Sequence, residues 1–276
     1  MIDLIIDGRG VEVSQGVTIL DACRSAGVPL PTLCHAPNLT PANTCRICVV
    51  EVQGSRVLVA ACSRVVEPGM VVFTRSERVD HSRRTVLELL ASSVDLSAAA
   101  AEVAGWMEEY GADPARYSGG MTLATQTVKL QDDLYVRDYA KCILCYRCVD
   151  ACGDDAQHTY AIAVSGRGFE AVISTEFDVS LPDSACVYCG NCVATCPTGA
   201  LLGRVEWDLR RVGDWRPEDQ TVTRTVCPFC GVGCNLDVAV QDGRIVRVDS
   251  PIDHDVTAGH LCVKGRFGWQ HVHLSG

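Results

Sequence analysis

Apolar and polar residues alternate from Ile2 to Ile6 and then meet Asp7-Gly8-Arg9-Gly10. Aspartate and glycine tolerate the positive φ of a two-residue hairpin turn, so residues 1–13 are predicted to fold as a hairpin whose first strand is Ile2 to Ile6. Thr18 stands where a side-chain oxygen caps a short helix over Ile19 to Ala26, which Gly27 and Pro29-Leu30-Pro31 end. Strands follow at Val49 to Val52 and Arg56 to Ala60, which makes the first stretch a small β-rich domain. From Asp80 the apolar period becomes helical, with Val86, Leu89 and Leu90. An alanine-rich amphipathic stretch comes next, around Ala98 to Glu109, and breaks near Gly111 and Pro114. Two more hairpins are predicted by the same turn logic. One joins Tyr160 to Val164 with Phe169 to Ile173 through Ser165-Gly166-Arg167-Gly168, and the other joins Leu236 to Val240 with Ile245 to Val248 through Asp242-Gly243.

Length and charge narrow the possibilities. A chain of 276 residues exceeds the usual single domain, so several cores are expected. The net charge of −10 argues against a nucleic-acid partner, which would ask for a basic face. The N-terminus lacks a basic start and a long apolar core, and no apolar run approaches the roughly 20 residues of a membrane span. A cytoplasmic chain without a membrane span is therefore expected. In that compartment thiols stay reduced, and many of the seventeen cysteines lie only two or three residues apart. That spacing favours metal over disulfides.

Sixteen of the seventeen cysteines fall into four sets. Cys34, Cys45, Cys48 and Cys62 are spaced C-x10-C-x2-C-x13-C, a wrapping loop plus one distant thiol, as in plant-type [2Fe–2S] sites although with different spacing. A structural zinc site uses the same four donors, so this set alone leaves zinc open. Cys142, Cys145, Cys148 and Cys152 recur at constant offset as Cys186, Cys189, Cys192 and Cys196. Both runs read C-x2-C-x2-C-x3-C, and Pro197 completes the bacterial two-cluster ferredoxin signature in the second. In that signature the fourth cysteine ligates the other cluster. This pairs Cys196 with Cys142, Cys145 and Cys148, and Cys152 with Cys186, Cys189 and Cys192. Gly153 replaces the proline after the first run, and Tyr146 stands where a small residue is common. The last set is Cys227, Cys230, Cys234 and Cys262, C-x2-C-x3-C-x27-C, for which a zinc ribbon is the alternative. Glycines 231 and 233 are expected to let backbone approach this site. Cys23 sits among Ile19 and Leu20 and is expected to be a small buried thiol. Gly166-x-Gly168-x-x-Ala171 is a partial glycine motif within a hairpin, so no nucleotide site is expected.

Two stretches carry a specific resemblance. Thr32-Leu33-Cys34-His35, Cys45-Arg46-Ile47-Cys48-Val49-Val50-Glu51-Val52 and Ala61-Cys62 resemble the β-grasp [2Fe–2S] domain of the complex I large subunit and related dehydrogenases. Thr225 through Asn235, with Leu261-Cys262-Val263-Lys264-Gly265-Arg266, look like the N-terminal cluster domain of bis-molybdopterin enzymes, especially formate dehydrogenases. In this order the chain resembles the N-terminal iron–sulfur part of the alpha subunit of cytoplasmic NAD-linked formate dehydrogenases.

The resemblance implies an α+β, multidomain fold. Its parts would be a β-grasp [2Fe–2S] ferredoxin domain at 1–78, a helical connector at 79–130, a two-[4Fe–4S] ferredoxin-like domain at 131–212 and a small β-rich molybdopterin-oxidoreductase [4Fe–4S] domain at 220–276. It also implies one [2Fe–2S] and three [4Fe–4S] clusters, and places Lys264 between cluster and pterin. A molybdenum or tungsten bis-molybdopterin cofactor (Mo/W-bis-MGD) is implied on a catalytic partner chain, and FMN and NAD on a diaphorase partner. Residues 79–130 contain no cysteine, so the family's connector cluster, held by one histidine and three cysteines, is not expected, and His81 is assigned a structural role. Only fourteen residues follow Cys262, so formate oxidation is not expected on this chain alone. The related alternative is an electron-transfer subunit of an NAD-linked hydrogenase or a complex I type oxidoreductase.

Overall fold

The computed structural model of the chain describes residues 1–119 and 126–273. Residues 120–125 of the expected connector, and 274–276, lie outside the described residues. The chain divides into two compact units, Met1–Ala36 with Pro41–Thr122, and Pro37–Thr40 with Leu123–Gly276.

In the first unit the predicted hairpin forms as β1 (Ile2–Ile6) and β2 (Arg9–Val13), with Asp7 at φ 48° and Gly8 at φ 80° in the turn. Helix α1 (Ile19–Ser25) is capped by Thr18, whose hydroxyl accepts the Asp21 N–H. Strands β3 (Val49–Val52), β4 (Val59–Ala60) and β5 (Val71–Phe73) complete a sheet of order β2-β1-β5-β3-β4. Within it β1 and β5 are parallel and the other pairs antiparallel. Strand β4 is shorter than the predicted Arg56 to Ala60, and β5, set between β1 and β3, was not predicted. Helix α1 buries Ile19, Leu20, Ala22 and Cys23 against Leu4, Ile6, Val50 and Val72. Each large apolar side chain removed from water there contributes about 2 kcal/mol.

Helix α2 (Glu77–Ser93) begins at the Ser76 cap, and α3 (Ala101–Glu109) follows. The buried stripe of α2 is Val79, Arg83, Leu87 and Glu88. The predicted stripe of Val86, Leu89 and Leu90 is displaced, and Leu89 is exposed. The reason is a charged residue on the inner face. Arg83 donates from Nη2 to the Val49 carbonyl at 2.9 Å and from Nη1 to the Tyr110 hydroxyl at 2.8 Å, which gives both terminal nitrogens of a buried guanidinium a partner that hydropathy does not reveal. His81 lies exposed on α2.

The second unit is built on short elements. Strand β6 (Tyr135–Arg137) pairs antiparallel with β9 (Leu201–Gly203), bracketing the cysteine runs whose short helices are α4 (Arg147–Cys152) and α5 (Asn191–Ala194). The inserted hairpin is β7 (Ala163–Ser165) and β8 (Val172–Ser174). Its strands are shorter than predicted: Tyr160 takes a positive φ of 52° before the first, and Gly168–Glu170 makes a 3-10 turn where the second was predicted to begin. Helix α6 (Arg204–Arg211) leads to a three-stranded antiparallel sheet, β10 (Thr221–Val226), β11 (Asn235–Gln241) and β12 (Arg244–Asp249). Asp242 and Gly243 turn β11 into β12 at φ 51° and 75°, as predicted. Helix α7 (Val263–Phe267) follows Cys262. Among the described residues no helix is long and apolar enough to cross a membrane.

Candidate metal centres

All seventeen cysteines are free thiols. In the first set Cys34, Cys48 and Cys62 are buried and Cys45 is half-buried. The four sulfurs form one hydrogen-bonded group. Bonds from the Cys45 and Cys62 thiols hold Cys34 well below the ordinary thiol range, and a bond from Cys62 brings Cys48 to about 7. Cys62 and Cys45, which keep the shared protons, rise. Backbone N–H groups join in: that of Cys34 donates to the Cys45 sulfur at 3.4 Å. Arg46, at φ 58°, turns the chain between Cys45 and Cys48. Cys23 stands apart in the core, where burial pushes its thiol up to about 12.

The two repeated runs fold alike at the backbone. Leu144 (φ 52°) corresponds to Tyr188 (φ 58°), and Tyr146 (φ 65°) to Gly190 (φ 70°). These left-handed residues curl each loop so that N–H groups face sulfur. The Tyr188 N–H donates to Cys186 at 3.4 Å, as the Leu144 N–H does to Cys142. The N–H groups of Arg147 and Asn191 serve Cys145 and Cys189 in the same way. Tyr146 thus holds a conformation that costs a non-glycine residue roughly 1 kcal/mol or more.

The fourth thiol of the second run lies with the first three of the first run. Cys142, Cys145, Cys148 and Cys196 line one cavity with Tyr139, Ile143, Tyr146, Ile173 and Leu201. Burial raises Cys142 to about 11 and Cys145 to about 12, and the charge of Cys196 adds to both. Cys192 is raised by burial and then by Cys189, Cys152, Cys186 and Cys196. Cys196 thus stands beside Cys142, Cys145 and Cys148, and the charge of Cys152 acts on Cys189 and Cys192.

Three hydroxyls that spacing could not reveal also touch sulfur. Tyr135 on β6 meets Cys186 at 3.4 Å, Thr159 meets Cys152 at 3.4 Å, and Thr198 meets Cys196 at 4.0 Å. The Ala161 N–H donates to Cys152 at 3.3 Å.

In the last set Cys227 is buried, Cys234 is half-buried, and Cys230 and Cys262 are exposed. The Cys227 N–H closes the loop on the Cys234 carbonyl at 2.8 Å. Burial raises the Cys234 thiol, and the charges of Cys227, Cys230 and Cys262 reinforce the shift. Gly233 needs glycine, at φ 75°. Lys264 is exposed on α7.

Among the described residues no three His, Cys, Asp or Glu side chains converge at the spacing of a single bound ion. The donors fit an iron–sulfur cluster. Soft thiolates surround a cavity with apolar walls, and backbone N–H and hydroxyl groups are aimed at sulfur, the kind of outer shell that such clusters use.

Comparison with known proteins agrees with this chemistry. Residues 1–77 match the 2Fe-2S iron-sulfur cluster binding domain, 141–200 the 4Fe-4S dicluster domain and 220–274 the molybdopterin oxidoreductase Fe4S4 domain. The NADP-reducing hydrogenase subunit HndD of Solidesulfovibrio fructosivorans is 39% identical over 285 residues, covering 99% of this chain and 46% of its own length. The NADPH-Fe(3+) oxidoreductase subunit alpha of Geobacter sulfurreducens is 34% identical over 276 residues, 99% of this chain and 32% of that protein. An NADH-quinone oxidoreductase subunit of Rhizobium meliloti is 34% identical over 274 residues, 97% of this chain and 31% of that protein. A putative formate dehydrogenase of Staphylococcus haemolyticus is 27% identical over 310 residues, 97% of this chain and 31% of its own length. The chain thus spans less than half the length of these relatives. The crystal structure of NAD+-reducing [NiFe]-hydrogenase in the H2-reduced state matches with a TM-score of 0.65 at 26% identity, covering 74% of this chain and 87% of that one. Three cluster-binding domains in series, with these relatives, make the chain an iron–sulfur electron-transfer protein related to a subunit of NADH-quinone oxidoreductase and to the NADP- and NAD-reducing hydrogenases.

Proposed function

We propose that the chain is a four-cluster relay within a larger oxidoreductase. A [2Fe–2S] cluster is assigned to Cys34, Cys45, Cys48 and Cys62. Three [4Fe–4S] clusters are assigned to Cys142, Cys145, Cys148 and Cys196, to Cys186, Cys189, Cys192 and Cys152, and to Cys227, Cys230, Cys234 and Cys262. The observation that carries this reading is the cavity ringed by three thiols of one run and the fourth thiol of the other. Domain boundaries at 1–78, 79–130, 131–212 and 220–276 accompany it, and the parallel β1–β5 pair with α1 packed on the sheet supports a β-grasp fold for the first domain.

Bound clusters supply one-electron carriers. The chain's own residues bind them through thiolate, donate hydrogen bonds to sulfur, and keep water away with apolar walls. These contacts set the potential and hold neighbouring sites close.

Two-electron chemistry is assigned to partner chains. One is a molybdenum or tungsten pterin chain oxidising formate, with Lys264 contributing at the pterin side, and the other a flavin chain exchanging hydride with NAD. The last domain's match to molybdopterin oxidoreductases and the putative formate dehydrogenases among the relatives support this. A second reading, an NAD(P)-linked hydrogenase or NADH-quinone oxidoreductase, draws on higher identities of 39% and 34%. The presence of the last domain does not separate the two readings, because the match to NADH-quinone oxidoreductase covers 97% of this chain.

Anaerobic recovery of the tagged chain from its native cells tests the choice. The formate reading expects molybdenum or tungsten in the recovered complex and formate-dependent NAD reduction. Nickel, with hydrogen-dependent reduction, would replace it by the hydrogenase reading.

A further inference from the structure

A buried, incompletely balanced positive charge sits against the second cysteine run. Arg266 in α7 is 4% exposed. Its Nη1 donates to Asp249 Oδ1 at 2.7 Å and to the Val248 carbonyl at 3.2 Å, its Nη2 to Asn191 Oδ1 at 3.4 Å, and its Nε has no partner among the described residues. Asn191 lies between Cys189 and Cys192, and its Oδ1 also accepts the N–H of Leu261, which precedes Cys262. The backbones are as close as glycine permits. A Cβ on Gly190 would stand 2.9 Å from Arg266 Cγ and 3.0 Å from the Phe267 ring.

The neighbouring carboxylates do not cancel this charge. Asp249 is shared with Arg247, whose Nε lies 2.8 Å away. Arg247 also reaches Glu206 at 3.4 Å, and Glu206 is already bound by Arg210 at 2.8 Å. Three guanidiniums therefore share two carboxylates. A buried guanidinium is tolerated only when anions face it. Burial works against the charge on Arg266, and the anions that oppose burial are Asp249 and then Cys189 and Cys192.

We propose that Arg266 is the counter-charge of the Cys186, Cys189, Cys192 and Cys152 set, a positioning residue that raises the reduction potential of the cluster held there. The inference rests on the cluster assignment above. Reduction adds one negative charge to the site, and a fixed cation in a low-dielectric surrounding favours the more negative state.

Redox titration followed by EPR, on the anaerobically purified full chain, tests it. The relevant signal is the one that Cys189→Ser perturbs. Arg266→Met should lower that centre's reduced-to-oxidised ratio at fixed potential by about tenfold, which is about 59 mV for a one-electron couple. Arg266→Lys should retain most of the wild-type ratio. Asp249→Asn, which releases the guanidinium from its carboxylate, should move the same centre in the opposite direction, and it carries the test if Arg266→Met does not fold. Unmoved midpoints in iron-replete variants, or equal shifts for methionine and lysine, would overturn the role of Arg266. Iron-free wild-type protein would instead overturn the cluster assignment.

Discussion

Cys196→Ala is expected to abolish the same [4Fe–4S] signal that Cys142→Ala abolishes, and to spare the signal lost in Cys186→Ala. Sequence proximity alone would predict the reverse, because Cys196 lies only four residues beyond Cys192. In the folded chain, however, Cys196 lines the cavity of Cys142, Cys145 and Cys148, and its charge acts on all three. Cys152→Ala should show the reciprocal pattern, since Cys152 acts on Cys189 and Cys192. Each variant should lose about 4 iron per chain, because a [4Fe–4S] cluster with a missing thiolate is the unit that fails. Pairwise EPR of the four variants reads the result. Signals that vanish according to run, rather than crossing between runs, would sink the crossed assignment.

The second large effect is expected from Cys230→Ala. Cys230 is an exposed member of the last set, whose domain is matched over residues 220–274. The first set belongs to a separate compact unit, so its binding does not depend on this loop. The variant should lose one [4Fe–4S] signal and about 4 iron, keep the [2Fe–2S] signal, and reduce substrate-dependent NAD reduction by the recovered complex to background. Loss of every cluster together would contradict modular binding.

The features legible in the sequence were those set by local chemistry. Asp7-Gly8 and Asp242-Gly243 fix two hairpins because their positive φ demands those residues, and Thr18 caps α1 through its own hydroxyl. The likeness of the two cysteine runs was legible because they repeat at constant offset, which the matching left-handed residues Leu144 and Tyr188 reproduce at the backbone. Elements defined by distant partners were not legible. Strands β5, β6 and β9 have only three residues each, and they exist because β1, β3 and each other supply their hydrogen bonds. Strand β10 lay hidden for another reason: all six of its residues are exposed, so no apolar face marks it. The inner face of α2 was misread because Arg83, a charged residue, occupies its centre.

The same distinction applies to the sites. Spacing names thiols, but it is silent about the Tyr135 and Thr159 hydroxyls that reach sulfur from elements outside the runs. It is equally silent about the surroundings of Arg266, whose partners Asp249 and Asn191 are brought to it only by the fold.

The most direct measurement is iron and acid-labile sulfide per chain, with EPR of the dithionite-reduced protein, on material purified without oxygen. Four clusters predict about 14 iron and about 14 sulfide per chain, with one [2Fe–2S] and three [4Fe–4S] signals. A colourless protein holding zinc at the cysteines, with iron and sulfide only at trace level, would contradict the account at its root.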